Sequence, residues 1–509
     1  MSPAGGYIAD IAYTAGFYPD TAPAHMAFAA LCRQHAPGLA WRPRRVLELG
    51  FGQGFGLALL AAANPDVAFE GCDFNVEHVA HARGLIEDAG LANLTVSHMS
   101  FEQTAGHGEN DVDVVVLHGI LSWIEAASQR AVVSTLERRL RPNGVAYASY
   151  NCMPGWAPLA PIRHLMLEVK RRSPGSSEHQ LALALDLIGK LWQCNAGYFV
   201  MNPMATHHVG AMLGMDRAYL AHEYLVDHAQ LPQFSDVAAL LAPAGLSYVA
   251  SAALLDNFDD YAVPDMVRPL IPQIDDAMLR EAVRDFAANR KFRRDIYSRG
   301  TNELSPEERR LMLSGLKFAL AVPRPLLTLK FLGPVGDITL KPEFHAAVAD
   351  VLARKSATFD ELLALPVFGE NGTGLLVDCL ALLVHSGQVL PHIDRGTIDV
   401  RPAQRFNRVV VQRARAGRLY GHLASPVAGT GIPVDELGLL ALAALSDGQC
   451  GDLAAAARHS LSILATLDRR PLKDNQPIEH DGEAIMFLAE RMKPVLDEQI
   501  PVWRRLGVL

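Results

Sequence analysis

Several specialised protein classes are excluded by what this 509-residue chain lacks. Cysteine is scarce, with six residues at 32, 72, 152, 194, 379 and 450, no CxxC pair and no framework spacing. Thiols so scattered do not staple a scaffold. They suit a reducing compartment where cysteine serves as a small core hydrophobe, so a cytoplasmic location is expected. Positive charge is also short: 46 Lys and Arg stand against 55 Asp and Glu, a net charge of -9. A dedicated nucleic-acid binder needs a concentrated basic surface to neutralise phosphates, so no nucleic-acid partner is expected. The two local basic runs, Arg290-Lys291-Phe292-Arg293-Arg294 and Arg413 to Arg418, read as solvated faces or helix-end charges. Apolar runs at 375–384 and 437–445 are too short, or broken by Asp378, to span a membrane. Met1–Gly6 has neither a basic region nor an apolar core, so no secretory signal is expected.

What is present is an ordinary folded composition, half hydrophobic and a fifth charged. Its length implies about two to four domains. From Arg45 the pattern alternates strand and helix, the signature of a parallel α/β sheet. Strands are expected at 46–49, 67–72, 94–98, 112–117 and 145–150, with helices at 76–89 and 129–140 between them. The segment before them, 1–45, carries Tyr7, Tyr13, Phe17 and Tyr18 and a helix near 24–35. It reads either as a cap over a ligand or as an arm packed on the surface. Pro154-Gly155-Trp156 breaks the alternation, and helices dominate from 159. A helix at 234–242 and a strand at 246–250 could return a sixth unit to the sheet, and a charged helix is expected over 275–298. Short helices near 342–354, 359–365 and 374–385 with a strand at 388–392 resemble a winged-helix module. The end is helical, with linkers near 424–433 and 470–477. The expected divisions are thus 1–45, 46–158, 159–300 (with 234–258 returning to the sheet), 301–400 and 401–509.

The first strand runs into Glu48-Leu49-Gly50-Phe51-Gly52-Gln53-Gly54, a glycine turn followed at once by a helix. Such a turn brings backbone N–H groups against a small ligand. A dinucleotide requires G-x-G-x-x-G, but Phe55 holds the third glycine's place. A P-loop requires a Gly-Lys-Ser/Thr that is missing. S-adenosylmethionine fits better, because it offers a carboxylate, a sulfonium and a ribose diol instead of phosphates. Gly50, Gly52 and Gly54 would admit it, and Glu48 would place negative charge near its cationic end. Asp73, about twenty residues on at the end of the second strand, can take both ribose hydroxyls; the alternative is a helix N-terminal charge. Phe74 follows it. Ser100 and Phe101 follow the third strand, where Phe101 either lines the adenine or packs in the core.

In this order these elements resemble the class I S-adenosylmethionine-dependent methyltransferases, over 45–156. Leu117-His118-Gly119-Ile120-Leu121-Ser122-Trp123-Ile124, Ala148-Ser149-Tyr150-Asn151 with Pro154-Gly155-Trp156, Glu223-Tyr224-Leu225 and 285–294 look like bacterial methyltransferases with an added regulatory domain. That group includes rickettsial-type protein-lysine methyltransferases with a C-terminal winged-helix-like domain. The resemblance implies a Rossmann-like sheet, a helical middle domain, S-adenosylmethionine as cofactor and a protein or peptide substrate, most plausibly at lysine. A homodimer is compatible with that layout. The winged-helix-like module fits a protein-contact role better than DNA, since no clustered basic recognition helix is present.

Methyl transfer from a sulfonium is an in-line displacement, so the protein must align the nucleophile and exclude water, and no triad is needed. Candidates for the acceptor rim sit at the carboxyl ends of the strands: His118, Tyr150 and Asn151 as catalytic residues, and Tyr18, Trp123, Tyr150 and Trp156 as substrate contacts. His118 has an alternative as a structural strand-end histidine, and Trp123 as a core residue. His207-His208 with His222-Glu223 match no metal pattern, so no metal is expected. No G-x-S-x-G elbow supports a serine hydrolase. Two other functions stay open, a methyltransferase for a small molecule, peptide natural product or surface sugar, and a non-catalytic cofactor-binding regulator.

Overall fold

The computed structural model describes residues 7, 8, 10–300, 302–369 and 372–509. Met1–Gly6, on which the expectation about a secretory signal rests, lie outside the described residues.

Seven strands form the central sheet: β1 (Arg45–Leu49), β2 (Ala68–Asp73), β3 (Leu94–His98), β4 (Val112–Leu117), β5 (Leu140–Asn151), β6 (Ser247–Ser251) and β7 (Phe292–Ser298). Their order is β3-β2-β1-β4-β5-β7-β6. The first five pair in parallel, and β7 runs antiparallel to both β5 and β6. Strand β4, Val112-Asp113-Val114-Val115-Val116-Leu117, is buried at every position because helices cover both faces. The β-branched, apolar character that makes it legible in the sequence is what a doubly covered strand requires.

The charged helix expected over 275–298 is really two elements, a helix Ala277–Ala287 and strand β7. The reason for the difference is chemical. One buried face of β7 carries Arg293, Asp295 and Tyr297, so hydrophobic alternation does not betray the strand. Arg293 is buried and donates to Asp295 at 2.9 Å and to Asp285 at 2.5 Å, and lies 3.3 Å from Glu281. Its guanidinium also covers the Phe234 ring at 4.3 Å. Arg290 pairs with Asp256 and, at 2.9 Å, with Asp285. Half of the run 290–294 that reads as solvated charge is therefore an interior ion network.

The middle helices 160–224 build their own apolar core on Trp156, Leu159, Ile162, Leu181 and Tyr224. Further on, helices Pro342–Leu352, Phe359–Leu363 and Thr373–His385 stand with a small antiparallel sheet of Leu316–Leu320, Ala357–Thr358 and Val389–Ile393. A single apolar core joins that module to one face of the large sheet and to the C-terminal helices. The expected linker at 424–433 is instead a hairpin, His422–Ser425 with Thr430–Pro433, seated on helix Phe55–Ala63. Small residues there allow close approach: a Cβ on Gly431 would lie 2.5 Å from the Phe17 ring. Among the described residues no helix is long and apolar enough to cross a membrane.

The Arg293 network generates a stability prediction. Arg293→Ala leaves buried carboxylates without their partner, and its urea midpoint should fall by an amount equivalent to about 3–5 kcal/mol. Arg401→Ala, at an exposed pair with Asp399, should leave the midpoint in place.

Candidate active site

A cleft of about 830 Å³ opens over the carboxyl ends of β1, β2 and β4, where a doubly wound sheet binds ligands. Its floor is the glycine turn. Gly50, Gly52 and Gly54 have φ of +73°, +59° and +73°, left-handed conformations that side chains rarely adopt. The three differ in purpose. A Cβ on Gly50 would strike Ile120 at 2.7 Å, and one on Gly54 would strike Ala82 at 2.6 Å, so these two let elements pack closely. A Cβ on Gly52 would meet nothing, because Gly52 faces the cleft. Neither Gly54 nor Glu48 lines the cleft, so the contacts expected of them are not direct ones.

Asp73 lines the cleft at the end of β2 and is buried. Its Oδ2 accepts from the Gly52 N–H at 2.9 Å, and its Oδ1 from the Asn75 N–H at 2.9 Å and, more distantly, from His78 at 3.3 Å. Asp73 therefore orders the start of the next helix, and a lone pair on Oδ2 is left that could accept from a ribose hydroxyl. Glu48, half-buried at the penultimate position of β1, is pushed up to about 8 by burial and then by the Asp73 charge. A cation brought beside it would reverse that shift. Phe74, Ser100 and Phe101 line the same end, with Tyr7 packed 5.2 Å from the Phe74 ring. Ser100 also caps the helix Phe101–Thr104 in a reciprocal pair with Gln103.

A hydrogen-bonding aspartate, an acidic strand end, an open glycine and a flat aromatic pair match a sulfonium nucleoside amino acid. The residues present fit S-adenosylmethionine. Gly50, Gly52, Asp73, Phe74, Ser100 and Phe101, which line the cleft, would hold it, with the Glu48 carboxyl in the strand that leads into the turn.

The N-terminal segment supplies the facing wall through Tyr7, Ile8, Tyr13 and Tyr18. Tyr18 stacks on His118 at 3.7 Å. Burial drops the His118 imidazole to about 4, so it is a neutral wall and not a proton acceptor near neutral pH. Ser149 Oγ, which accepts from the Gly119 N–H at 2.9 Å, lies 3.1 Å from His118 Nδ1.

The other end contains Asn151 and Trp123, both expected, and Tyr219, His222, Glu223, Lys291 and Phe292. In the sequence the chemistry of His222 and Glu223 is weighed only against a metal pattern, Lys291 and Phe292 are read as part of a basic run, and Tyr219 is not singled out. Asn151 Nδ2 donates to Glu223 Oε2 at 3.0 Å. Glu223 is 7% exposed, and burial raises its carboxyl to about 7. Burial likewise lowers the Lys291 ammonium. Two expected residues are elsewhere. Tyr150 is 0% exposed, and its hydroxyl donates to Asp295 at 2.6 Å. Neighbours on a strand face opposite sides, so Tyr150 and Asn151 could not share one rim. Trp156, 1% exposed, sits in the middle-domain core beneath Lys291 and against Tyr224. His207 and His208 do not line the cleft, and among the described residues no group of three His, Cys, Asp or Glu is placed to hold a metal.

The cofactor end can be tested in isolation. Asp73→Ala should weaken binding of S-adenosylhomocysteine by on the order of 1–3 kcal/mol in calorimetric titration, with the fold intact by circular dichroism. Unchanged affinity would mean that the ribose does not meet this carboxylate.

Comparison with known proteins agrees with this geometry. Residues 46–144 match the methyltransferase domain model, and residues 216–299 match that of a predicted methyltransferase regulatory domain. The uncharacterized protein sll1526 of Synechocystis is 30% identical over 506 residues, 99% of each chain. The uncharacterized protein RP789 of Rickettsia prowazekii is 24% identical over 56% of this chain and 51% of its own. Among solved structures, PKMT2 from Rickettsia typhi in complex with AdoHcy superposes with a TM-score of 0.68 at 18% identity, covering 97% of this chain and 99% of that one. With its glycine turn, its Rossmann-like sheet and a middle domain returning β6 and β7 to that sheet, the chain belongs to the class I S-adenosylmethionine-dependent methyltransferases that carry a methyltransferase regulatory domain.

Proposed function

We propose that this enzyme transfers methyl groups to the side-chain amine of lysine in a protein. The observation that carries the reading is Glu223: a buried carboxylate at the aromatic end of the cleft, opposite the cofactor end. S-adenosylmethionine supplies an electrophilic methyl whose leaving group is already activated. What remains for the chain is to bring an amine in, strip its proton and keep water away.

The residues suit that task. Tyr13, Tyr18, Trp123 and Tyr219 offer ring faces and edges that accept an alkyl stem and attract its ammonium. Glu223 would pair with the ammonium and, with its carboxyl already near 7, take the proton before the nitrogen attacks. Asn151 fixes the Glu223 carboxylate by donating to it, and its own amide oxygen is what it can offer the amine. His118, held neutral, adds no competing positive charge. PKMT2 of Rickettsia typhi, similar along almost its whole length, supports a protein acceptor, as does an architecture far larger than a small-molecule methyltransferase needs.

Incubation of the enzyme with labelled methyl donor and bacterial lysate should put label into protein. Label confined to small molecules would favour the alternative acceptor class. The role of Glu223 has its own readout. At saturating methyl donor, kcat/KM for the acceptor should climb with pH and level off above about 7, as Glu223 loses its proton in the free site. In Glu223→Gln that limb should vanish and the rate fall by about 10²-fold or more; a retained limb would assign it to another group.

A further inference from the structure

The glycine turn is gripped from outside by the C-terminal region. Helix Arg401–Arg415 packs on helices Phe55–Ala63 and Val76–Ala89, the two that flank the turn. Just beyond it Tyr420, fully buried, lies flat on Phe55 at 4.4 Å with ring planes 8° apart. Phe55 is the first residue of the helix that leaves the turn. The Tyr420 hydroxyl stands 2.8 Å from His81 Nε2, and His81 Nδ1 stands 2.6 Å from the Gln53 carbonyl oxygen.

The direction of these bonds is determined. A carbonyl oxygen only accepts, so His81 Nδ1 carries the proton, and Nε2 of the neutral ring accepts from the Tyr420 hydroxyl. Arg413 completes the chain by donating to the Tyr420 oxygen at 3.2 Å, and its other arm donates to Asp88 at 2.7 Å. Burial, assisted by Arg413 and Arg418, holds the imidazole below its ordinary value and so in the neutral form that this order requires.

Gln53 is the residue for which such a grip matters. It lies between Gly52 and Gly54, both left-handed, so the peptide planes on either side can rotate at little steric cost. Its side chain donates to the Tyr13 carbonyl of the N-terminal wall. Among the described residues, its carbonyl is held by His81. That bond works with the Gly54 N–H of the same peptide, which donates to the Phe51 carbonyl at 3.1 Å, and with the Gly52 N–H on Asp73 to hold the turn in the shape that opens Gly52 to the cleft.

We propose that Tyr420, acting through His81, is a positioning residue for the cofactor turn, so that the C-terminal region sets affinity for the methyl donor. The inference concerns the donor end alone and holds whichever acceptor is used. In the full-length protein, Tyr420→Phe keeps the ring stack and removes only the hydroxyl. It should weaken S-adenosylhomocysteine binding about five- to tenfold. It should also speed amide exchange at Gly52, Gln53 and Gly54 in the ligand-free protein, while KM for the acceptor stays unchanged. His81→Asn keeps a donor toward Gln53 but breaks the link to Tyr420, and should give the same loss even if Tyr420→Phe folds poorly. Arg405→Ala supplies the control: it deletes bonds to the Ala89 and Gly90 carbonyls across the same interface without touching the turn, and should leave affinity unchanged. Wild-type affinity and exchange in Tyr420→Phe and His81→Asn would overturn the proposal. So would an equal loss in Arg405→Ala, which would show general loosening of the interface.

Discussion

The structure depends on one local constraint, three left-handed glycines in five residues at the end of the first strand. A turn that tight removes side chains from the place where three elements meet. Gly50 and Gly52 both line the cleft, Gly50 while packing closely against Ile120, and Gly54 yields to the helix bearing Ala82. The Asp73 carboxylate then binds the Gly52 N–H, so one side chain both orders the turn and faces the ligand. Because glycine resists being ordered, such a turn needs outside support. It receives it from Tyr13 on one side and His81 on the other.

Burial outweighs every other influence on two carboxyls in and beside the cleft. Glu48 at the donor end and Glu223 at the acceptor end are both carboxyls raised toward neutral pH by the loss of water. A cation brought beside either carboxyl would favour its charged form. Contrast the network around Arg293, where Asp285, Asp295 and Glu281 already have guanidinium partners and serve to lock β7 into the sheet. There too burial pushes Asp285 up, to about 6, against the pull of Arg293 and Arg290.

The donor half was legible in the sequence because it is written in features that read locally. The strands β1 to β4 are apolar runs, the glycines recur at alternate positions, and Asp73 stands where a second strand ends. The winged-helix-like module was legible for the same reason. The acceptor half was not. Glu223 follows a histidine on a short helix far from the sheet in sequence, and only folding of the middle domain brings it to Asn151. Strand β7 hid behind its arginines, because charges that neutralise one another inside a protein look in sequence like charges on a surface. Tyr150 was misplaced through neglect of strand alternation, which sends it to Asp295 while Asn151 turns to the cleft. The Tyr420 contact was invisible, since 339 residues separate it from His81.

The acceptor atom is what separates a lysine methyltransferase from every other reading of this cleft. Residue-level mass spectrometry of a methylated protein acceptor measures it most directly. The arrangement of Glu223, Asn151 and the aromatic wall predicts methyl groups on lysine Nζ, lost together with turnover in Glu223→Gln. Methyl groups on a carboxylate, hydroxyl or thiol oxygen or sulfur, formed equally well by that variant, would contradict it.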